Sequence, residues 1–267
     1  MTNAAIPTHI ILAIAASSFF VFAIAERLWP NRRRVMKWQS RWLVHLVFFI
    51  LNSILGRALI AVMTVSIAAN WAQDNNFGLF NIIALPWWLV GILIFIIMDF
   101  WVWFQHLLMH KIPILWRAHI VHHSDRDLDV TSALRFHPLE LIFSTLFKST
   151  LVAIFGVPIF WAILFEIWLN IWAMFTHSNI RLPHKFDHLL GALFVTPDMH
   201  LIHHHIIIDD QQKNYGFALN LWDKIFGQYR AQPMNNSLHD MKLGLDQHQD
   251  KNPAKLRWTL LLPFLVK

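Results

Sequence analysis

Apolar runs of membrane-crossing length leave this chain few folds to choose from. His9–Trp29, Trp42–Ala69 and Ile82–His110 each meet the requirement of about 20 predominantly apolar residues. Glu140–Thr176 is longer still, enough for two short spans in a hairpin or for a re-entrant pair that does not fully cross. Hydrocarbon offers backbone N–H and C=O groups no partner, so such runs must be helical. A content of 56% hydrophobic residues excludes an ordinary soluble domain. The expected fold is an all-α, multi-pass transmembrane bundle of about 4–5 membrane helices with a cytoplasmic, histidine-rich helical metal domain. Its expected divisions are residues 1–81 (N-terminal membrane helices and loops), 82–230 (the metal domain) and 231–267 (a C-terminal cytoplasmic tail).

Charge sets the expected orientation. The first apolar run has its basic residues after it, unlike a secretory signal, and reads as an uncleaved span. Arg32, Arg33, Arg34, Lys37 and Arg41 place the following loop in the cytoplasm, and Asn70–Asn81, with no Lys or Arg, outside. The third run then returns inward. Lys111–Pro138 and everything from Ser178 onward, including Arg181, Lys213, Arg230 and Lys251, belong to the cytoplasmic side. The ending RWTLLLPFLVK is too short to cross and is expected on the surface. Within the second run, His45 reads as a satisfied interfacial histidine and Arg57 as a charge facing protein or water. The net charge of +6 is interleaved with the spans, so it signals topology and no nucleic-acid partner.

The chemistry lies in histidines. His106 and His110 stand one helical turn apart, and Asp99 and Trp103 continue their stripe backwards. Pro113 breaks the helix, and His119, His122 and His123 follow on one face. The spacing returns in His200, His203 and His204. Imidazole suits Zn, Cu, Fe and Ni, and the absence of cysteine removes thiolate cages and Fe–S clusters. Eight histidines are too many for one tetrahedral ion and suit two metals sharing a site. Glu26, Glu140 and Glu166 are the only glutamates; none makes a Glu-x-x-His pair, and HExxH is missing. His205 points to another helical face, as an outer residue or an exposed one. His9, His188, His239 and His248 are isolated.

The set His106–His110, HIVHH (His119–His123) and MHLIHH (Met199–His204) resembles the fatty acid hydroxylase / sterol desaturase superfamily of membrane-bound di-iron oxygenases. HHSDRDLDVTSALRFHPLE (His122–Glu140) resembles the segment after the second motif in bacterial members, and NYGFALNLWDKIFGQY (Asn214–Tyr229) the family's ending. The similarity runs from about Ile82 to Tyr229; the first two spans carry little of it. By resemblance the metal ligands are His106, His110, His119, His122, His123, His200, His203 and His204, with His177 in THSNIRLP a further ligand. Asp99 falls where the family often has an acid that orients a ligand imidazole, and His137 in RFHP matches a feature of no assigned role. Leu201 stands where members often carry Arg and His205 where many have Ser, so substrate identity does not carry over.

The resemblance implies two iron ions, which zinc can replace in purified protein, O2 chemistry and a lipid C–H bond (fatty acyl, sterol-like or ether lipid) that is hydroxylated or, alternatively, desaturated. It implies an integral protein of a bacterial inner membrane with its metals on the cytoplasmic face. No nucleotide or flavin fingerprint is present, so electrons come from a separate donor of cytochrome b5, ferredoxin or reductase type. Phe143, Phe147, Phe155 and Phe160 are the expected wall for lipid access. A metal transporter is the competing reading; it needs ligands near the midplane, where Arg57, Lys148 and Glu166 form no ligand set. Cysteines introduced singly at Gln73 and Gln211 should label from opposite sides of the membrane. Labelling of both from one side refutes the topology.

Overall fold

The computed structural model describes residues 6–60, 64–235, 237–250 and 252–266. Residues 61–63, inside the second expected span, and Lys251 lie outside them. The fold is an all-α, multi-pass membrane bundle, with no strand among the described residues beyond isolated bridges. In chain order the helices are α1 (Thr8–Leu28), α2 (Trp38–Ile60), α3 (Val65–Asp74), α4 (Leu79–Ile82), α5 (Trp87–Lys111) and α6 (Pro113–His123). Then come α7 (Pro138–Phe155), α8 (Ile159–His177), α9 (His184–Leu190), α10 (Pro197–His203), α11 (Ile208–Gln211), α12 (Leu221–Ile225) and α13 (Leu256–Leu265). Five of them, α1, α2, α5, α7 and α8, are long and apolar enough to cross a membrane.

Proline and glycine punctuate the chain where the sequence puts them. Ile112 is extended between α5 and α6, and Pro113 then opens α6 at a position where its missing N–H costs nothing. Glu140–Thr176 resolves into the hairpin α7–α8, each arm long enough to cross, with Gly156 left-handed (φ 63) at the turn. A Cβ on Gly78 would lie 2.2 Å from the Gly156 nitrogen, so a second glycine lets the 77–78 loop meet that turn.

The second span departs from expectation. Its helix is described to Ile60, and a new helix starts at Val65, where the Thr64 hydroxyl accepts from the Ile67 N–H at 3.4 Å. Ala68, Ala69 and Ala72 are buried there, small side chains that let α3 lie against α7 and α8. Residues 70–74, expected in an outer loop, are therefore helical. Arg57 is exposed in the last turn of α2. One core joins α3, α5, α7 and α8 through Ile94, Met98, Leu151, Val152 and Phe165.

The last stretch of the chain is built into the structure. Leu262 of α13 packs with Val44 and Phe48 of α2 and Ile120 and Val121 of α6, while Met241 and Leu243 pack with Leu201 and Ile202 of α10. Both HxxHH segments, α6 and α10, are thus backed by residues of 231–267.

A buried polar knot underlies the same region. Arg41 donates from Nε to Asp125 Oδ1 and from Nη2 to Oδ2, both at 2.8 Å, and from Nη1 to Asp129 Oδ2 at 2.7 Å. His45, satisfied as expected, joins Asp125 through Nε2 (3.0 Å) and Thr131 through Nδ1 (2.7 Å). Arg135 donates to Val121 O, Ser124 Oγ and Pro253 O. Burial favours the neutral acid at Asp125, yet the Arg41 guanidinium outweighs it and holds this carboxyl well below the usual range. Glu26 at the end of α1 joins in, accepting from the Val130 and Asn179 N–H groups. Arg41→Met should leave Asp125 and Asp129 unpaired in the interior and destabilise the protein by about 3–5 kcal/mol. Thermal unfolding in detergent measures this, and the loss should shrink when Asp125→Asn is added; an unchanged midpoint removes the knot's structural role.

Candidate metal centre

Nine histidines from four helices meet beneath the spans, and helical spacing sorts them into two groups. The first is His106, His110, His119, His123 and His203; the second is His122, His177, His200 and His204. Within each, one ligand atom per residue lies within 4.8 Å of every other, and all nine side chains are buried. In α6 the first and last histidines of HxxHH enter the first group and the middle one crosses to the second. In α10 the assignment reverses. The two motifs therefore interlock, each feeding both groups.

Four of the nine rings are held from outside by a hydrogen bond at Nδ1. His106 Nδ1 donates to Tyr215 O at 2.8 Å, His203 Nδ1 to Lys213 O at 2.7 Å and His177 Nδ1 to Ala173 O at 2.7 Å. His119 Nδ1 donates to Glu140 Oε1 at 2.8 Å, an acid–histidine pairing of the kind that aims metal ligands. Phe136 stacks on His122, ring centroids 4.6 Å apart.

A neutral imidazole whose Nδ1 carries the proton has a bare lone pair at Nε2. His106 and His203 are both so arranged, and their Nε2 atoms face each other at 3.1 Å. Two lone pairs at that distance repel; a cation beside both turns repulsion into ligation. The alternative, protonation, is opposed by burial, which pushes His203 down to about 3. Burial first, then neighbouring imidazoles, holds His122, His123, His200 and His204 well below the ordinary histidine range. The neutral ring is the form that binds metal. Both ring nitrogens of His110 are buried without a hydrogen-bond partner among the described residues.

The spacing also speaks to coordination. Metal–imidazole bonds of about 2.1 Å put neighbouring donors about 3.0 Å apart at right angles and about 3.4 Å apart in a tetrahedron. Neighbouring Nε2 atoms here lie 2.9–3.2 Å apart in both groups. With no thiolate, the five nitrogens of the first group exceed the four ligands of a structural zinc, and the four of the second equal them; both suit an imidazole-loving ion.

The carbonyls that aim His106 and His203 belong to one short segment, and much of the local sequence holds it. Asp223 accepts from the Tyr215 N–H (3.0 Å), the Gly216 N–H (2.7 Å) and the Trp103 indole (2.8 Å). A Cβ on Gly216 would lie 2.7 Å from Leu219 O and 2.8 Å from Asp223 Oδ2, so only glycine fits. Asn214, left-handed at φ 55, donates to Met199 O.

Asp99 belongs to this buttress. Its Oδ2 accepts from the Trp222 indole at 2.9 Å and it meets no ligand imidazole, so the orienting role expected of it is taken by Glu140. Sequence reasoning passed over Glu140 as the start of a hairpin. The available signal was an acid without a basic neighbour at the third position of the proline-initiated helix α7. His177 stands in the second group, its Nε2 2.9 Å from that of His122 and 3.0 Å from that of His200. His205 is buried, not exposed, and pairs with Asp210 at 2.7 Å outside both groups. His137 caps α7, accepting from the Leu139 N–H.

Beside the histidines lies a cavity of about 330 Å³, walled partly by His106, His119, His122, His177 and His200. The aromatic residues lining it are Phe136 and Phe217, not the four expected from the hairpin. Phe147 and Phe155 are committed to the core, Phe143 stacks on Phe147, and Phe160 packs on Trp87.

The fatty acid hydroxylase family model matches residues 91–228, the segment that carries every one of these histidines. Alkylglycerol monooxygenase of Homo sapiens is 30% identical over 173 residues, covering 59% of this chain and 34% of that protein. Ornithine lipid hydroxylase OlsE of Rhizobium tropici is 28% identical over 148 residues, 53% of this chain and 42% of its own. Alkylglycerol monooxygenase of Caenorhabditis elegans is 25% identical over 182 residues, 66% and 33% respectively. The matches thus span less than half the length of these relatives. No solved structure matches.

Replacement of His106, His203, His122 or His177 by Ala should strip metal from the purified protein, whereas His239→Ala should retain it. Glu140→Ala should weaken metal retention by about 10–100-fold, as losing the partner of a ligand histidine does. Metal content after dialysis against a graded chelator checks all six. Full retention in both His106→Ala and His203→Ala discards this centre.

Proposed function

The chain belongs to the fatty acid hydroxylase family, and from that premise we propose that it is a membrane-embedded di-iron oxygenase that hydroxylates a C–H bond of a lipid. The observation that carries this reading is the pair of facing lone pairs on His106 and His203, within one of two imidazole groups that border a single cavity. Under this reading the nine histidines hold two iron ions, with zinc a substitute during overproduction. Bound there, iron supplies the activation of O2 that acid–base chemistry cannot provide for an unactivated C–H bond. In balance, one lipid C–H, O2, two electrons and two protons give one C–OH and one water.

The chain's own contribution is position. Carbonyls of Tyr215, Lys213 and Ala173 and the Glu140 carboxylate fix the protonated nitrogen of four rings, so the opposite nitrogen is always presented to metal. His106 and His119 of one group and His122, His177 and His200 of the other reach the cavity wall, so a lipid there lies against both groups. The cavity is bordered by α5, α7 and α8, three helices of spanning length, which suits a substrate that arrives from the bilayer.

Electrons come from a separate carrier. Arg32, Arg33, Arg126, Arg181 and Lys242 line a surface cleft of about 800 Å³, which suits a carrier with an acidic face. The route from that cleft is short: Asn179, two residues beyond His177, donates to Arg32 O at 2.9 Å. Positive-inside counting supports a cytoplasmic face for this cleft and the metals, under this reading that of a bacterial inner membrane.

Iron-reconstituted protein should hold close to two ions per chain and, given a chemical or enzymatic reductant, transfer one atom of isotopically labelled O2 to an extracted lipid. An alkene product with the same metal demand assigns desaturation in place of hydroxylation. Lipid oxidation without O2, or metal content that never exceeds one ion per chain, overturns the di-iron oxygenase.

A further inference from the structure

The cation-lined surface cleft holds more positive charge than the fold itself uses. Arg32, Arg33, Arg126, Arg181 and Lys242 line it, against one acid, Asp240. None of the five has an ion-pair partner within 4.0 Å among the described residues. Arg33, Arg181 and Lys242 are exposed, and their side chains make no hydrogen bond among those residues. Arg32 and Arg126 are half-buried and tied down at one nitrogen each, to Met241 O and to Asp250 O. Arg32 Nη1 and Arg126 Nε are buried with no acceptor among the described residues. Burial draws Arg32 below its ordinary value, and Asp127, Asp240 and Asp198 nearby offset this only in part. Guanidinium nitrogens left over around one concave space call for an anion with several acceptor oxygens.

The depth of the cleft selects the anion. α1 is apolar to its end, and Arg32 and Arg33 follow directly after the exposed Leu28 and Trp29. α8 ends at His177, and Arg181 follows on a segment that pairs with the end of α1. Its N–H donates to Trp29 O at 2.8 Å, and the Asn31 N–H donates to Asn179 O at 2.9 Å. Two helices of spanning length thus deliver cations to one place, at the level where hydrocarbon gives way to lipid head groups. Above it, α1 presents Phe20, Ile24 and Leu28, one turn apart and exposed, to acyl chains. The segments that carry the histidines converge on the same cleft. Arg126 lies just past His123 and Arg181 just past His177, while Met241 and Leu243, which also line the cleft, pack on Leu201 and Ile202 between His200 and His203.

We propose that this cleft binds the phosphate of an anionic, amine-free membrane lipid, which clamps the inner end of α1 to three of the four histidine-bearing helices, α6, α8 and α10. A zwitterionic head brings its own ammonium group into a space already lined by five cations and is disfavoured there. The acidic face of an electron carrier meets the rim of the cleft, whereas the lipid phosphate lies within it. The site stands on charge and depth alone, so it holds or fails independently of the oxygenase reading.

The test titrates the full-length, metal-loaded protein in a neutral detergent with dioctanoyl phosphatidylglycerol, dioctanoyl phosphatidylcholine and inorganic phosphate. Binding is read by thermal shift and by lipid retained in native mass spectrometry. Phosphatidylglycerol should saturate, raise the unfolding midpoint and bind at least about tenfold tighter than phosphatidylcholine. Arg33→Gln combined with Lys242→Gln should weaken that binding on the order of 25-fold, about fivefold for each cation removed, while the midpoint without lipid stays where it was. Arg117→Gln combined with Arg257→Gln removes the same charge from exposed positions outside the cleft and should leave the binding nearly unchanged. Equal binding of the two lipids, or equal losses in the two double variants, overturns the site. Stabilisation by inorganic phosphate at the concentrations that suffice for phosphatidylglycerol overturns the lipid as its occupant.

Discussion

Neutral imidazoles turned lone pair to lone pair, about 3 Å apart and out of reach of water, are the constraint to which this protein answers. The packing around His106 and His203 makes sense only with positive charge between them, because their outer nitrogens are already committed to carbonyls. With metal, the same packing becomes a preorganised donor set. On the di-iron reading, folding and metal binding become one equilibrium, and metal contributes to the stability of the histidine layer as well as to its chemistry.

Holding nine rings in that arrangement takes more structure than the rings themselves. The segment 213–216 supplies two carbonyls, and it is held in turn by Asp223 and by indoles on both sides: Trp103 from α5 on Asp223, and Trp222 from α12 on Asp99. Beneath α6, the Arg41–Asp125–Asp129 knot and Arg135 tie the first HxxHH helix to α2 and to the segment before α13. Charges expected to mark only membrane orientation, Arg41 among them, are structural as well. The helices that cross the membrane and the layer beneath them are thus two halves of a single site.

The sequence made the centre easy to find and its surroundings hard. Apolar length identified the spans, and 3–4 spacing identified the histidine triplets, because both signals are local and periodic. His177 came through resemblance alone; nothing within its own helix marks it. The acids could not be assigned, since whether Asp99 or Glu140 meets an imidazole depends on how α5, α7 and the 213–223 segment pack, a tertiary matter. The second span is shorter than its apolar run because Thr64 caps a new helix, a role that shows only in three dimensions. The cavity wall was misjudged for a similar reason. Aromatic residues on the hairpin are the obvious lining by composition, yet Phe147 and Phe155 pack into the core and Phe143 and Phe160 against other rings, and the lining falls to histidines, polar side chains and other apolar residues.

The interlocking of the two HxxHH motifs bears on how the protein comes into being. Each histidine group needs a residue from α10, and the first group also rests on carbonyls from 213 and 215. During synthesis the chain emerges from its N-terminus, so α5 and α6 take up their places while more than half of the chain is still to come. Neither group can close on an ion until α10 has arrived. On the di-iron reading, the nascent chain therefore passes through a stage in which it is anchored in lipid before it is metallated, and loading is a late maturation event carried out on a protein already in its membrane.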